Sequence, residues 1–136
     1  MNIKKFVIAS IVVFVACQII EMIVHGFLLG SIYGTLKEVW RPDMMDKMWI
    51  MYITSFVFSF LFVYIYTKFY QGKGIIEGLF FGTIIGIFMN FCGIFNQYVI
   101  YPVPFSLAIQ WFIYGMIEFI IIGAIASLIY TEKVNK

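Results

Sequence analysis

The sequence predicts an all-α integral membrane protein, a four-transmembrane-helix bundle that forms a single membrane domain over residues 1–136. The composition is the first observation: 63% of the 136 residues are hydrophobic and only 12% are charged, whereas soluble domains are nearer half apolar and a quarter charged. The second is a mean hydropathy of +1.00. The third is the presence of four apolar stretches, each long enough to cross a bilayer core of about 30 Å as a helix. They are apolar on all sides, which excludes the alternating pattern of a β-barrel.

The first span is expected over residues 6–32, after a short basic start. Its apolar run continues past Cys17 to Leu29, so we expect a membrane helix here and not a cleaved leader peptide. The second span is expected over residues 49–69, after the only sizeable polar segment of the chain. An Arg-Pro pair in that segment, ending at Pro42, favours a short interfacial helix that leads into the second span.

The third span, residues 75–95, follows a short hairpin at Tyr70–Gly74. Because this connection is short and contains two glycines, the second and third spans are expected to be antiparallel neighbours. Glu77 lies in the first turn of the third span, where the helix dipole favours a carboxylate, and we expect it to be structural. The fourth span is expected over residues 105–130, directly after Pro104.

The positive charges of the short loops predict the orientation of the chain, because cytoplasmic loops carry an excess of Lys and Arg. With the N-terminus inside, six cations lie on the inner side and three on the outer side. We therefore expect both termini in the cytoplasm, in a multi-pass protein of the plasma membrane, which in a bacterium is the inner membrane. The inner cations are Lys4, Lys5, Lys68, Lys73, Lys133 and Lys136, and the outer ones are Lys37, Arg41 and Lys47.

Polar residues within the spans are the candidate functional residues, since a charged side chain at the bilayer centre costs on the order of 3 kcal/mol. Gln18, Glu21 and His25 form one stripe along the first helix. Glu21 lies roughly 22 Å from the inner surface at about 1.5 Å per residue. Asn90 and Gln110 are expected near the same height, with Glu118 closer to the midplane. This intramembrane polar site is either a proton or ligand site, or a buried hydrogen-bond network that fixes the helix register.

Glycines repeat every four residues in two of the spans. Gly78, Gly82 and Gly86 give the third span one face without side-chain bulk, and Gly26 and Gly30 do the same at the outer end of the first span. Such faces let helices approach closely. The pattern is compatible with packing inside the chain and with packing against another subunit.

No cofactor, metal or nucleic acid is expected. The net charge of +2 is too small for a nucleic-acid footprint. The methionine cluster at residues 44–51 offers thioethers that could bind Cu(I), but an apolar sequence contains many methionines without any metal role. His25 is the sole histidine, so a haem would need a second copy of the chain or a methionine as its other axial ligand. The sequence contains no catalytic set of residues, and we expect no enzyme.

The layout of the chain resembles a family of small bacterial four-span membrane proteins whose function is unknown. The resemblance implies a four-span fold and nothing about activity, because that family has no assigned chemistry. Its elements here are the basic start of the first span, Glu77-Gly78 with Gly82 and Gly86, the segment Asn96–Tyr98 before Tyr101-Pro102, and Tyr114 with Gly123-Ala124.

Two functions remain open on the sequence. The first is a non-enzymatic subunit or helix-packing component of a membrane complex, whose partners are membrane lipid and other transmembrane helices, in a hetero-complex or a homo-oligomer. The alternative is a dimeric proton-coupled transporter of a small or lipophilic cation that uses Glu21. For this alternative, the segment Ala16–Glu21 resembles the first helix of the small multidrug resistance transporters, which carries a membrane Glu.

Overall fold

The computed structural model of the protein describes residues 1–132 and consists of helices and their connections. Four helical segments are long and apolar enough to cross a membrane, which confirms the prediction of a four-span membrane protein: Ile3–Leu28, Met45–Phe69, Ile75–Ile100 and Phe105–Ile129. Lys133 and Lys136, which entered the orientation prediction, lie outside the described residues. The helices are α1 (Ile3–Glu21), α2 (Gly30–Thr35), α3 (Met48–Phe69), α4 (Ile75–Ile100) and α5 (Phe105–Ile129); a π-helical segment, Met22–Leu28, joins α1 to α2, and short 3₁₀ turns lie at Lys37–Val39 and Met45–Lys47.

The third membrane helix is longer than the sequence indicates, because α4 continues to Ile100 instead of ending near residue 95. Its last turn is closed by a hydrogen bond from the Tyr101 amide to the Gln97 carbonyl, 2.8 Å long. Pro102 sets the end, since a proline forces the preceding residue out of helical geometry. Tyr101 accordingly adopts an extended conformation, with φ of −103° and ψ of 137°.

The hairpin between α3 and α4 is closed by a buried carboxylate. Glu77 is 4% exposed, and its two oxygens accept hydrogen bonds from the Gln71 amide at 2.7 Å and the Lys73 amide at 2.8 Å. Gly72 and Gly74 have positive φ angles of 78° and 71°, which side chains with a Cβ rarely adopt. The Glu77 side chain therefore provides hydrogen-bond acceptors for two amides of the hairpin. It is buried, whereas a carboxylate at the membrane–water interface would be exposed to water.

Both described ends of the chain lie at the same end of the bundle. The Met1 ammonium is 3.4 Å from a Glu132 carboxylate oxygen, and the Lys5 ammonium donates to the Thr131 carbonyl oxygen at 2.6 Å. We call this the terminal end, which also carries the hairpin. The opposite end, with residues 29–47 and 101–104, is the loop end.

Glycines make α4 and α5 the most extensive interface of the bundle. A Cβ atom built on Gly82 would lie 3.1 Å from the Ile120 Cα and closer still to the Phe119 backbone. A Cβ on Gly123 would lie 2.9 Å from the Gly82 Cα. Gly78 and Gly86 face α5 in the same way. The glycine face of the third span is therefore occupied inside the chain.

The glycines of the first span are placed differently. Within the described part of the chain, a Cβ on Gly26 would meet nothing within 4 Å. A Cβ on Gly30 would meet only the His25 carbonyl oxygen, at 3.9 Å. No other helix of residues 1–132 therefore uses this stretch for close approach.

Helix α1 packs against α3 and α5, while α3 and α4 meet mainly through aromatic rings near the hairpin. The ring centroids of Phe62 and Phe81 are 5.0 Å apart, and those of Tyr66 and Phe81 are 5.3 Å apart. Towards the loop end the two helices no longer cover each other, since residues 49–54 of α3 and 96–100 of α4 are exposed. The second and third spans are therefore neighbours mainly near the hairpin and not along their whole length.

Candidate functional site

A row of four side chains joins the first and last spans. A Glu21 carboxylate oxygen lies 3.2 Å from the His25 Nε2 atom. The other ring nitrogen of His25, Nδ1, is hydrogen-bonded to the Tyr33 hydroxyl. The indole N–H of Trp111, on α5, donates to the same hydroxyl at 2.7 Å. We call these four residues the Glu21 row.

The local backbone explains how α1 and α2 bring these groups together. The segment that carries His25 is π-helical, with a 2.8 Å hydrogen bond from the Leu29 amide to the Val24 carbonyl, five residues back. Single π-helical turns are frequent at functional sites. The Tyr33 side chain reaches back towards the N-terminus, as long side chains on helices do, and its ring stacks on the His25 ring with centroids 5.7 Å apart.

One set of hydrogen positions satisfies every group of the row. The Trp111 N–H donates to the Tyr33 oxygen, the Tyr33 O–H donates to Nδ1 of His25, and the Nε2–H donates to Glu21. This assigns the Nε2–H tautomer to neutral His25, because the partner of one ring nitrogen fixes the proton on the other. A proton on Nδ1 would instead be donated to the Tyr33 oxygen, and the Tyr33 O–H would then have no acceptor within the row. Only the first arrangement therefore pairs every group of the row.

A second carboxyl group lies beside the row. Glu118 on α5 is partly buried, and its carboxyl lies close enough to Cys17 and Glu21 on α1 for these groups to influence one another electrostatically. One turn before Glu21, the Gln18 amide donates to the Ser55 hydroxyl of α3 at 2.8 Å. The site therefore combines two acids and one histidine with neutral polar partners from neighbouring helices. Such a cluster can hold or exchange a proton at Glu21, His25 or Glu118.

The cluster is not enclosed by the chain. The Glu21 side chain is 45% exposed and the His25 side chain is 42% exposed, within a segment long and apolar enough to span a membrane. The polar stripe that the sequence predicts on the first helix is thus partly exposed on the outer surface of the bundle. Within residues 1–132, His, Cys, Asp and Glu side chains do not gather in threes that could hold a metal ion.

Two of the expected site residues lie apart from the row. Asn90 packs over α5, where a Cβ on Gly115 would be 2.5 Å from the Asn90 Oδ1 atom. Its buried amide nitrogen has no hydrogen-bond partner in the described part of the chain. Gln110 is partly buried on α5. Within residues 1–132, neither amide forms a direct hydrogen bond to Glu21, although the sequence places all three residues at a similar height in the membrane.

Tyr33 and Trp111 are site residues that sequence reasoning missed. Tyr33 lies eight positions after His25, a spacing that does not place two side chains together on a regular helix. Trp111 belongs to another span, and its indole looks like one more interfacial aromatic. The only sequence signal for either residue is the general rule that buried Tyr and Trp seek a partner for their polar atom.

Comparison of the chain with protein-family models, with curated proteins and with solved structures gives no match. The resemblance to a family of small bacterial four-span proteins therefore has no support from a family match. The structure shows the coarser property that such families share, namely four long apolar helices in a small chain.

Proposed function

We propose that the protein is a non-enzymatic subunit of a membrane assembly, in which another transmembrane helix covers the side of the first span that carries Glu21 and His25. The exposure of these two side chains, 45% and 42%, carries the proposal. A charged group costs on the order of 3 kcal/mol at the bilayer centre and less towards the surface; Glu21 lies seven residues and His25 three residues from the end of the apolar segment at Leu28, so Glu21 bears the larger part of such a cost. A neighbouring helix that offers a polar or small side chain removes most of this cost, whereas lipid tails do not.

The surrounding surface supports a helical neighbour. Gly26, next to His25, has no atom of the described chain within 4 Å of a built Cβ, so the backbone of another helix can approach there. The repeated glycines of α4 are already used by α5. Gly26 is open and lies beside His25, whereas the other open glycine of a long helix, Gly93, lies away from the Glu21 row. We place the terminal end on the cytoplasmic side, because the excess of Lys and Arg at that end follows the positive-inside rule.

Site-specific photo-cross-linking tests this proposal. Met22, 58% exposed and adjacent to Glu21, is replaced by p-benzoylphenylalanine, and Phe88 on α4, 67% exposed, is replaced in the same way as the matched control. Irradiation of membranes should give a discrete band of higher mass for the Met22 variant and little or none for the Phe88 variant. Equal bands at both positions, or a strictly monomeric particle in blue-native electrophoresis, would contradict the proposal.

A second candidate function is proton-coupled transport of a small or lipophilic cation by a dimer, with Glu21 as the exchange site. The observation that favours it is a second acid nearby, because Glu118 lies close enough to Glu21, across the interface between α1 and α5, for the two carboxyls to interact electrostatically. His25, 3.2 Å from Glu21, would then help to hold the proton.

Flux in proteoliposomes tests the second candidate. A pH gradient should drive uptake of ethidium, a lipophilic cation, and Glu21→Gln should reduce the rate at least about tenfold if this carboxyl exchanges the proton. Glu38→Gln removes an exposed acid of the loop end and should leave the rate unchanged. Equal rates in wild type and Glu21→Gln would refute this function without affecting the subunit proposal.

A further inference from the structure

A cavity of about 440 Å³ lies at the loop end, between the loop that follows α2, the end of α4 and the start of α5. This volume is within the range of small-molecule sites, which run from about 300 to 1,000 Å³. The cavity adjoins the Glu21 row, because Trp111 belongs to both. An occupant of the cavity would therefore be separated from Tyr33 by one side chain. Its lining residues include Trp40, Arg41, Met44, Gln97, Tyr101 and Trp111.

Among the described residues that line the cavity, Arg41 carries the only formal charge, and it is paired with an acid of its own loop. Arg41 donates to the Asp43 carboxylate through Nε, at 2.7 Å, and through Nη2, at 3.4 Å. The Lys47 ammonium pairs with the same carboxylate. The hydrogen bonds from Lys47 and Arg41 hold the pKa of Asp43 below its usual 3.8. Two cations therefore share one ionised acid. Residues 37–47 as a whole are neutral, with three cations and three acids, so the positive group that the cavity offers is the Arg41 guanidinium alone.

Arg41 keeps donors for a ligand. A guanidinium group has five N–H groups in a planar fork, and Asp43 occupies only the Nε and Nη2 atoms. The fork matches the paired oxygens of a phosphate or a carboxylate. Gln97, at the end of α4, adds an amide that can donate a further hydrogen bond. These groups favour an anion and disfavour a cation.

The remaining walls are apolar and aromatic. Trp40 and Trp111 face each other with ring centroids 6.5 Å apart, and Met44 and Tyr101 extend the same surface. Aromatic rings at this height of a membrane protein contact both headgroups and the first part of the acyl chains. An occupant that carries an anionic group on an apolar body would satisfy both parts of the cavity.

We propose that this cavity binds the anionic head of an amphiphile, with phosphate or carboxylate oxygens on Arg41 and the adjoining apolar part against the cavity-facing sides of Trp40 and Trp111. The same chemistry is presented by an anionic phospholipid of the adjacent leaflet and by a free amphipathic acid. The proposal is independent of the subunit function, because it concerns the loop end and not the surface around Glu21.

Tryptophan fluorescence gives a direct test, because two of the three tryptophans line the cavity. Trp49→Phe removes the third and leaves only Trp40 and Trp111 to report. The variant is reconstituted in phosphatidylcholine vesicles, and phosphatidylglycerol or phosphatidylcholine brominated near the headgroup is titrated in. We expect the anionic lipid to quench with a preference of about tenfold or more, which is the lower end of the range for one charge-assisted hydrogen bond.

Two further variants separate a local site from general surface attraction. Arg41→Gln in the Trp49→Phe background should reduce the preference to about one. Lys37→Gln removes an equal charge from the same loop, outside the cavity lining, and should keep the preference. Arg41 is exposed, so the fold should tolerate its replacement, which circular dichroism checks. Loss of the preference in both variants, or in neither, would overturn the proposal.

Competition distinguishes the two sources of the amphiphile. Relief of quenching by micromolar decyl phosphate would assign the site to free amphipathic acids, and resistance to it would assign the site to the phospholipid. Relief by millimolar inorganic phosphate alone would show that the apolar body contributes nothing, which would contradict the proposal.

Discussion

Replacing Gly82 by alanine should weaken the interface between α4 and α5 more than its single methyl group suggests. The new Cβ would lie 3.1 Å from the Ile120 Cα, 3.0 Å from the Phe119 carbonyl carbon and closer still to the Phe119 oxygen. All three atoms belong to the backbone of α5, so no side chain can rotate away. The two helices themselves must separate.

The size of the effect follows from these distances. Ordinary contacts begin at about 3.5 Å, and the Phe119 oxygen is the nearest of the three atoms, so α5 must move by roughly 1 Å. A gap of 0.5–1 Å forfeits roughly a quarter to a half of the dispersion energy of each contact across the interface. With the usual cost of overpacking, about 1–3 kcal/mol, we expect Gly82→Ala to lower the free energy of unfolding by about 2–4 kcal/mol.

Gly93 provides the matched control on the same helix, because a Cβ there would meet no described atom within 4 Å. Gly93→Ala should be neutral or stabilising by up to about 1 kcal/mol, since alanine is the better helix former. Unfolding in mixed micelles at increasing dodecyl sulfate, followed by circular dichroism, measures both variants. If the two variants change the free energy of unfolding equally, the close approach of α4 and α5 at Gly82 is wrong.

Three further predictions concern single side chains. Glu77→Gln should lower the free energy of unfolding by about 1–3 kcal/mol, because a carboxylate that accepts two hairpin amides is lost; in the same denaturation assay, Glu38→Gln at an exposed position should change it by under about 0.5 kcal/mol. Tyr33→Phe removes the hydroxyl that donates to Nδ1 of His25, the sole histidine. The ¹⁵N spectrum of the wild type should show mainly the Nε2–H tautomer, and that of the variant should show a mixture of tautomers. An unchanged spectrum would contradict the assigned hydrogen positions. Asp43 should stay ionised at pH 3.8, because its pKa is lowered. The stability that it contributes is present above its unfolded pKa and is lost as the pH falls through the lower folded pKa. Carbon NMR of labelled aspartate can follow this titration.

The sequence alone determined the class of protein and the four spans. Hydrophobicity at each position is a local property, and a run of about 20 apolar residues has few outcomes other than a membrane helix. The Glu21–His25 pair was also available from the sequence, because a spacing of four residues brings two side chains together on one helix without help from the rest of the fold.

The ends of the elements were harder to predict than their existence. The sequence places the end of the third span near residue 95, but α4 continues to Ile100. Residues 96–100 are polar enough to suggest a loop, but they are also compatible with a helix. Hydropathy therefore could not place the end of the third span. The geometric restriction imposed by Pro102 on its predecessor decided it.

Only the tertiary structure decided which groups meet across helices. The glycine pattern of α4 predicted a close approach, yet it was equally compatible with a second subunit until Gly123 and Phe119 of α5 were found against it. Height along a helix places Asn90 near Glu21, but the rotation of each helix about its axis depends on all its neighbours together, and it turns Asn90 towards Gly115. The Tyr33 contact with His25 depends on a π-helical segment and on Trp111 from a distant span. Such contacts result from packing between segments far apart in the chain, and local sequence periodicity carries no information about them.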